Sequence, residues 1–314
     1  MKSWLLLFAC NLMWALQFTC IKLVQDQVGP LFTVWVPIAM ATILLYPLIL
    51  AEGKSHSQSR SWTKPRFLHE AILFLLLAIA GVLPGQALIT IGTRMSLASN
   101  AALLELALPI CTAVMAFFLL GEKMTSLRVV SFALALVGVV LCSVNDLRGF
   151  NLGSGYLIGN ALIFAGVLGS AFYNSYGKRV LETHTELQML FGTYVATLLV
   201  SAPFVFAREA GTFLQMNTFS VKTWTGLLLL TFFHNFLSMV LFLKALKTLD
   251  ASQAALSNYL ITFFGVVIAA VWLHERLTFA AVIGGLLVLA GTMMVTIWEE
   301  RKRGIKQPIT LQGL

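Results

Sequence analysis

Along the 314 residues, long apolar stretches alternate with short polar ones, and the apolar stretches are almost free of charge. Ten such runs occupy residues 3–21, 31–51, 71–93, 100–120, 129–144, 156–177, 187–207, 223–243, 251–273 and 277–298. Each comes close to the roughly 20 residues that an α-helix needs to cross a bilayer. Lipid offers the peptide group no hydrogen-bond partner, so stretches of this length must close their own ladders as helices. The pattern predicts an all-α polytopic membrane protein with ten transmembrane helices, of which the fourth carries a carboxylate, Glu105.

Two of the runs are copies of one another. Adding 153 to the numbers of residues 98–125 gives residues 251–278, and ten of the 28 aligned positions are identical. The copies end alike, in Leu120-Gly121-Glu122-Lys123-Met124-Thr125 and Leu273-His274-Glu275-Arg276-Leu277-Thr278. Each copy closes a five-helix unit, and because five is odd the second unit threads the membrane in the opposite sense to the first. The Glu122 hairpin is therefore expected inside and the Glu275 hairpin outside. Inverted repeats of this kind underlie alternating access in secondary transporters.

Composition agrees with lipid as the solvent: 59% of residues are hydrophobic, 11% are charged, and the mean hydropathy is +0.87. So little polar surface cannot cover a soluble chain of this size. With the amino terminus in the cytoplasm, fifteen Lys and Arg residues fall on the inner side and six on the outer. That excess sets both termini inside. The net charge of +8 then reads as a topology signal facing anionic headgroups, since no basic soluble segment exists to bind nucleic acid.

The chain resembles the drug/metabolite transporter superfamily, and within it the EamA-type proteins with two tandem five-helix repeats. The resemblance rests on Leu108-Pro109 in the fourth helix, on the Leu119-to-Thr125 hairpin and on its echo at Leu273 to Thr278. It covers about residues 3 to 298, and implies carriage of amino acids, metabolites or drugs. Two positions depart from the family pattern. Thr262 stands where the second copy usually has proline, and His274 where it usually has glycine.

Polar residues inside the runs mark candidate chemistry, because an unpaired polar group in lipid costs several kcal/mol. At spacings of three or four residues they form stripes. Helix one offers Asn11, Trp14 and Gln17; helix three, Gln86, Thr90 and Thr93; helix four, Glu105, Pro109 and Thr112. Helix six offers Ser170, Tyr173 and Asn174; helix eight, His234, Asn235 and Ser238; helix nine, Gln253, Ser257 and Asn258. These six helices make three symmetry-related pairs, and their stripes are expected to converge on one substrate cavity. The competing reading is that such side chains only bond between packed helices. Thr193, Thr197 and Ser201 in helix seven read as close packing.

Glu105 and His234 are the titratable candidates for proton coupling. Glu105 either binds a cationic or amino-bearing substrate, takes up a proton, or pairs structurally with Lys22 or Lys244. His234 is alternatively a satisfied hydrogen-bonder. The symmetry mate of Glu105 is the neutral Asn258, which points to an asymmetric gate. Glu122 and Glu275 read as hairpin anchors beside cations, and Thr125 and Thr278 as caps of the helices that follow.

Other chemistry is not indicated. No phosphate-binding glycine loop is present, Cys10, Cys20, Cys111 and Cys142 lack metal spacing, and no cofactor is called for. Residues 1–145 are expected to form the first repeat, 155–298 the second, and 299–314 a basic cytoplasmic tail. The reading is a secondary active transporter that exports small organic metabolites across a bacterial inner membrane, and not an enzyme. A non-transporting scaffold and a membrane-embedded enzyme are the rivals. The expected partners are a small-molecule substrate and the lipid bilayer, with no nucleic acid and with a homodimer left open.

Overall fold

The computed structural model describes residues 2–55, 64–120, 126–142, 155–248, 258–275 and 278–306, which are helical apart from short turns, with no strand among them. Helix α1 spans Lys2–Val24 and α2 spans Pro30–Ser55. Helix α3 is composite: α-helical over Lys64–Leu77, π-helical over Ala78–Val82 and Pro84–Leu88, then α-helical over Ile89–Met95. Helix α4 joins Ala98–Leu104 to Leu108–Leu120 through a 3-10 turn, Glu105–Ala107. Helices α5, Ser126–Cys142, α6, Gly155–Val180, and α7, Glu186–Leu214, follow. Helix α8 holds a π-helical segment, Leu230–Leu237, between Val221–Leu229 and Ser238–Thr248. Helices α9, Tyr259–Trp272, and α10, Phe279–Lys306, complete the described chain.

Among the described residues, seven helical stretches are long and apolar enough to span a membrane, and shorter apolar stretches lie at Leu260–Trp272 in α9 and Val282–Gly291 in α10. Residues 121–125, 143–154 and 251–257 lie outside the described residues, and with them Glu122, Thr125, Gln253, Ser257 and the junction of the proposed repeats. Helix α10 runs on through the basic residues Arg301, Lys302 and Arg303 to Lys306.

The packing carries the repeat. Helix α1 packs on α8 and α9, while α6 packs on α3 and α4. Helices α2 and α7 pair with each other, as do α5 and α10. Adding five to every label maps this set onto itself, so the pairings of one half reappear in the other. Where α3 meets α6 the backbones nearly touch. A Cβ on Gly92 would lie 2.4 Å from the Gly159 carbonyl oxygen, so only glycine allows this approach.

Helix starts are capped across the fold. Thr185 accepts from the Gln188 N–H, and the Gln188 side chain reaches back to the Thr185 N–H, a capping box that opens α7. Glu52, from the end of α2, accepts the Thr185 hydroxyl at 3.1 Å. At the other end of the pair, α7 bends at Glu209, whose φ of −131° is non-helical. There the Glu209 carboxylate accepts the Leu31 and Phe32 N–H groups at 3.1 and 2.7 Å, at the start of α2. Each helix of the self-paired couple thus presents a glutamate to the start of the other. Thr278 immediately precedes α10, and its carbonyl accepts the Val282 N–H at 3.1 Å.

Outward from these contacts lie exposed apolar side chains such as Leu5, Ile43, Phe118, Leu199, Val271 and Phe279, a surface suited to lipid.

Candidate functional site

Three helices depart from regular α-helical geometry around one space. The π segments of α3 and α8, which are repeat mates, and the 3-10 turn of α4 all supply walls of a single cavity of about 100 Å³. Irregular backbone inside a bilayer is tolerated where it is buried in protein or lines a cavity, and π turns widen a helix locally. Pro84 contributes by lacking an N–H, which removes one bond from the α3 ladder between its two π segments.

Helix α1 brings Trp14, Gln17 and Phe18 to the cavity, and α3 brings Gln86 beside Gly81 and Gly85. Glu105 and Leu108 come from α4, Ser170, Tyr173 and Asn174 from α6, and Tyr194 from α7. His234, Met239 and Phe242 come from α8, and Ile261 from α9. The Trp14 and Phe242 rings lie 4.7 Å apart between centroids, so one wall is aromatic.

Glu105 is 7% exposed and has no cation within ion-pair distance among the described residues. Of its two sequence-suggested structural partners, Lys22 instead donates to the Arg94 carbonyl at 3.3 Å, and Lys244 is exposed. The pairing reading of Glu105 is therefore not realised. His234 Nε2 lies 3.0 Å from Gln86 Nε2, while its Nδ1 is buried without a hydrogen-bond partner. If the Gln86 amide donates to Nε2, the neutral ring carries its proton on the unpartnered Nδ1. If the amide is turned over, Nδ1 is instead an unused acceptor. Either way one ring nitrogen is unspent. The buried Tyr173 hydroxyl is likewise unpartnered.

Of the sequence-predicted site residues, Trp14, Gln17, Gln86, Glu105, Tyr173, Asn174 and His234 meet at the cavity. Asn11, Asn235 and Asn258 are buried but do not line it. The Asn11 amide donates to the Leu7 carbonyl at 2.8 Å, and the Asn235 amide to the Leu230 carbonyl at 2.9 Å. Ser257 lies outside the described residues. Of the hairpin residues, Glu275 accepts the Ala98 and Ser99 N–H groups at 3.0 and 2.9 Å and the Ser99 hydroxyl at 2.7 Å. It anchors the start of α4, the helix that carries Glu105 seven residues further on.

The EamA-like transporter family matches residues 1–144 and 157–297, one match for each half of the chain. The chain belongs to the EamA-like transporter family. It is an integral membrane protein and a transporter rather than an enzyme. The uncharacterized transporter YyaM of Bacillus subtilis is 24% identical, over 81% of this chain and 79% of its own. An S-adenosylmethionine uptake transporter of Rickettsia prowazekii is 25% identical over 83% of this chain and 81% of its own. A terminal-alkyne amino-acid exporter, so named as probable, of Streptantibioticus cattleyicolor is 24% identical over 90% and 89%. A solved crystal structure matches the fold with a TM-score of 0.63 at 18% identity, covering 96% of this chain and 98% of its own.

Within this EamA transporter the family departures have structural counterparts. His274 has φ 55°, the left-handed region in which glycine is at ease. Thr262, in place of proline, donates its hydroxyl to the Ala102 carbonyl of α4 at 2.7 Å. Sequence reasoning missed Tyr194. Its hydroxyl donates to the Asn235 carbonyl at 2.8 Å, which holds the ring at the cavity edge. Its neighbours Thr193 and Thr197 bond back to carbonyls of their own helix at 2.7 and 2.8 Å, in keeping with packing. A lone tyrosine amid apolar residues in the middle of a span was the available signal.

Proposed function

We propose that this chain is a secondary active transporter that moves a small organic metabolite outward across a bacterial inner membrane, with both termini in the cytoplasm. Residues 1–145 and 155–298 are the two inverted units, and 299–314 is the basic tail that meets anionic headgroups. One observation carries the reading: helices from both units enclose a single cavity with a buried, unpaired carboxylate, at the boundary where each unit can rock against the other. Trp14, Gln17, Gln86, Glu105, Tyr173, Asn174 and His234 are the substrate-facing residues of this proposal. Asn11, Asn235 and Asn258, buried away from the cavity, are left out of this site. The cavity is walled by one chain's own helices, so a homodimer is not needed to complete it.

Glu105 and His234 are the groups through which protons would be exchanged for substrate. The relatives named as an uptake transporter and an exporter run in both directions, so outward movement is the part of the proposal most directly open to measurement. Proteoliposomes loaded with a metabolite panel are expected to exchange at least one compound by counterflow. They are also expected to drive proton movement that is lost in Glu105→Gln or His234→Ala. Absence of counterflow for every compound defeats carriage, and undiminished proton coupling in both variants defeats the coupling assignment. Vesicles of known orientation read the direction.

A further inference from the structure

Among the described residues no lysine or arginine lines the cavity, and the one carboxylate that does, Glu105, has no counter-cation. Two half-buried cations of the bundle bond elsewhere: Lys22 donates to the Arg94 carbonyl, and Arg94 donates to the Val28 and Gln25 carbonyls, each at 2.7 Å. A zwitterion or anion entering this space brings a carboxylate that meets no cation, and it meets Glu105 as a second negative charge. Burying an unpaired charge beside a like charge is strongly disfavoured. An ammonium meets the opposite situation, because it supplies the charge that Glu105 lacks.

The remaining walls suit the rest of such a molecule. Trp14, Phe18, Tyr173, Tyr194 and Phe242 are among the residues that line the space, an aromatic wall suited to an apolar body and, where a ring presents its face, to a cation. Tyr173 and His234 also line the cavity, and each carries a buried polar atom, the hydroxyl and Nδ1, without a hydrogen-bond partner. The indication of a missing polar guest is Glu105, a carboxylate of the lining without a counter-cation among the described residues. A purely apolar ligand would leave it unsatisfied.

The geometry points to an organic monocation as the cargo: a primary ammonium on an aromatic or apolar body, preferred over the amino acid that carries the same body. As a statement about cargo this rests on the carrier reading above, but binding alone tests it. The full-length protein, purified in detergent, is titrated with tritiated phenethylamine, and unlabelled competitors are added in matched sets. The sets are phenethylamine, phenylalanine and 3-phenylpropionate, then tryptamine, tryptophan and indole-3-propionate.

Saturable phenethylamine binding is expected, with each amino acid competing at least about tenfold more weakly than its amine, and each acid weaker still. Glu105→Gln is expected to weaken amine binding about tenfold or more while the protein stays folded by its unfolding midpoint, and Glu105→Asp to retain part of the affinity. The competitor series on the unaltered protein decides the matter even where a variant fails to fold. Equal competition by phenylalanine and phenethylamine, no saturable binding of either amine, or unchanged affinity in a folded Glu105→Gln protein each overturns the inference. Amine binding with no counterflow of any compound refutes carriage and leaves this specificity standing. Counterflow of amino acids without amine binding does the reverse.

Discussion

Replacing Glu275 by alanine removes a carboxylate that accepts three hydrogen bonds at the start of α4, from Ala98 N, Ser99 N and Ser99 Oγ. Ala98 and Ser99 are buried, at 0% and 1% exposure, so water cannot readily take over the freed donors. A buried donor left without an acceptor costs about 1–3 kcal/mol, and a negative charge at a helix start contributes about 0.3–1 kcal/mol more. Glu275 itself is only partly buried, which reduces the charge contribution by solvent screening. The sum expected for Glu275→Ala is about 2–4 kcal/mol. Reversible unfolding of the purified protein in mixed micelles reads it. Ser99→Ala removes one of the three bonds and should cost about 1 kcal/mol. The double variant should then be less destabilised than the two singles added together, by at least about 0.5 kcal/mol, because both act on one contact. A Glu275→Ala protein within about 0.5 kcal/mol of the parent, or strict additivity with Ser99→Ala, refutes this account of the hairpin.

Three further substitutions test the packing around the cavity. Gly92→Ala drives a Cβ against the Gly159 carbonyl and the Ile163 side chain, so α3 and α6 must separate; a loss of about 1–3 kcal/mol in the same unfolding assay is expected, and an unchanged midpoint counts against the close approach. Thr262→Val removes the hydroxyl bond to the Ala102 carbonyl at 2.7 Å and should cost about 1 kcal/mol, whereas a stabilised variant would mean that the bond contributes nothing. His274→Gly relieves the left-handed backbone at φ 55° and is expected to stabilise by about 0.5–1 kcal/mol, the greater freedom of glycine in the unfolded chain offsetting part of the relief; destabilisation would show that the His274 side chain holds the turn.

The alternation of apolar runs and polar turns was enough to mark an all-helical membrane protein, of which seven stretches among the described residues are long and apolar enough to span, because a bilayer forces each spanning segment to satisfy its own backbone. The 153-residue offset likewise revealed the repeat, since duplicated segments keep their motifs in register. Local signals mark helix starts as well: Thr278 sits where a new helix begins, and the Thr185–Gln188 capping box, which lies within four residues, was legible but not read.

What the tertiary structure alone decided is which faces turn inward. Sequence stripes assume 3.6 residues per turn, and a π turn holds more, so a single inserted residue rotates all that follows by about 100°. In helix α8 the adjacent His234 and Asn235 were read together, yet neighbours on a helix point about 100° apart, and only His234 lines the cavity while Asn235 donates its amide to Leu230. Tyr194 reaches the cavity because its hydroxyl finds a carbonyl 41 residues away. Glu209 and Glu275 cap helices 177 residues or so distant in the chain. Contacts of that range exist only once the two halves have docked. The membrane dictates each helix separately, and the docking of the halves dictates the site.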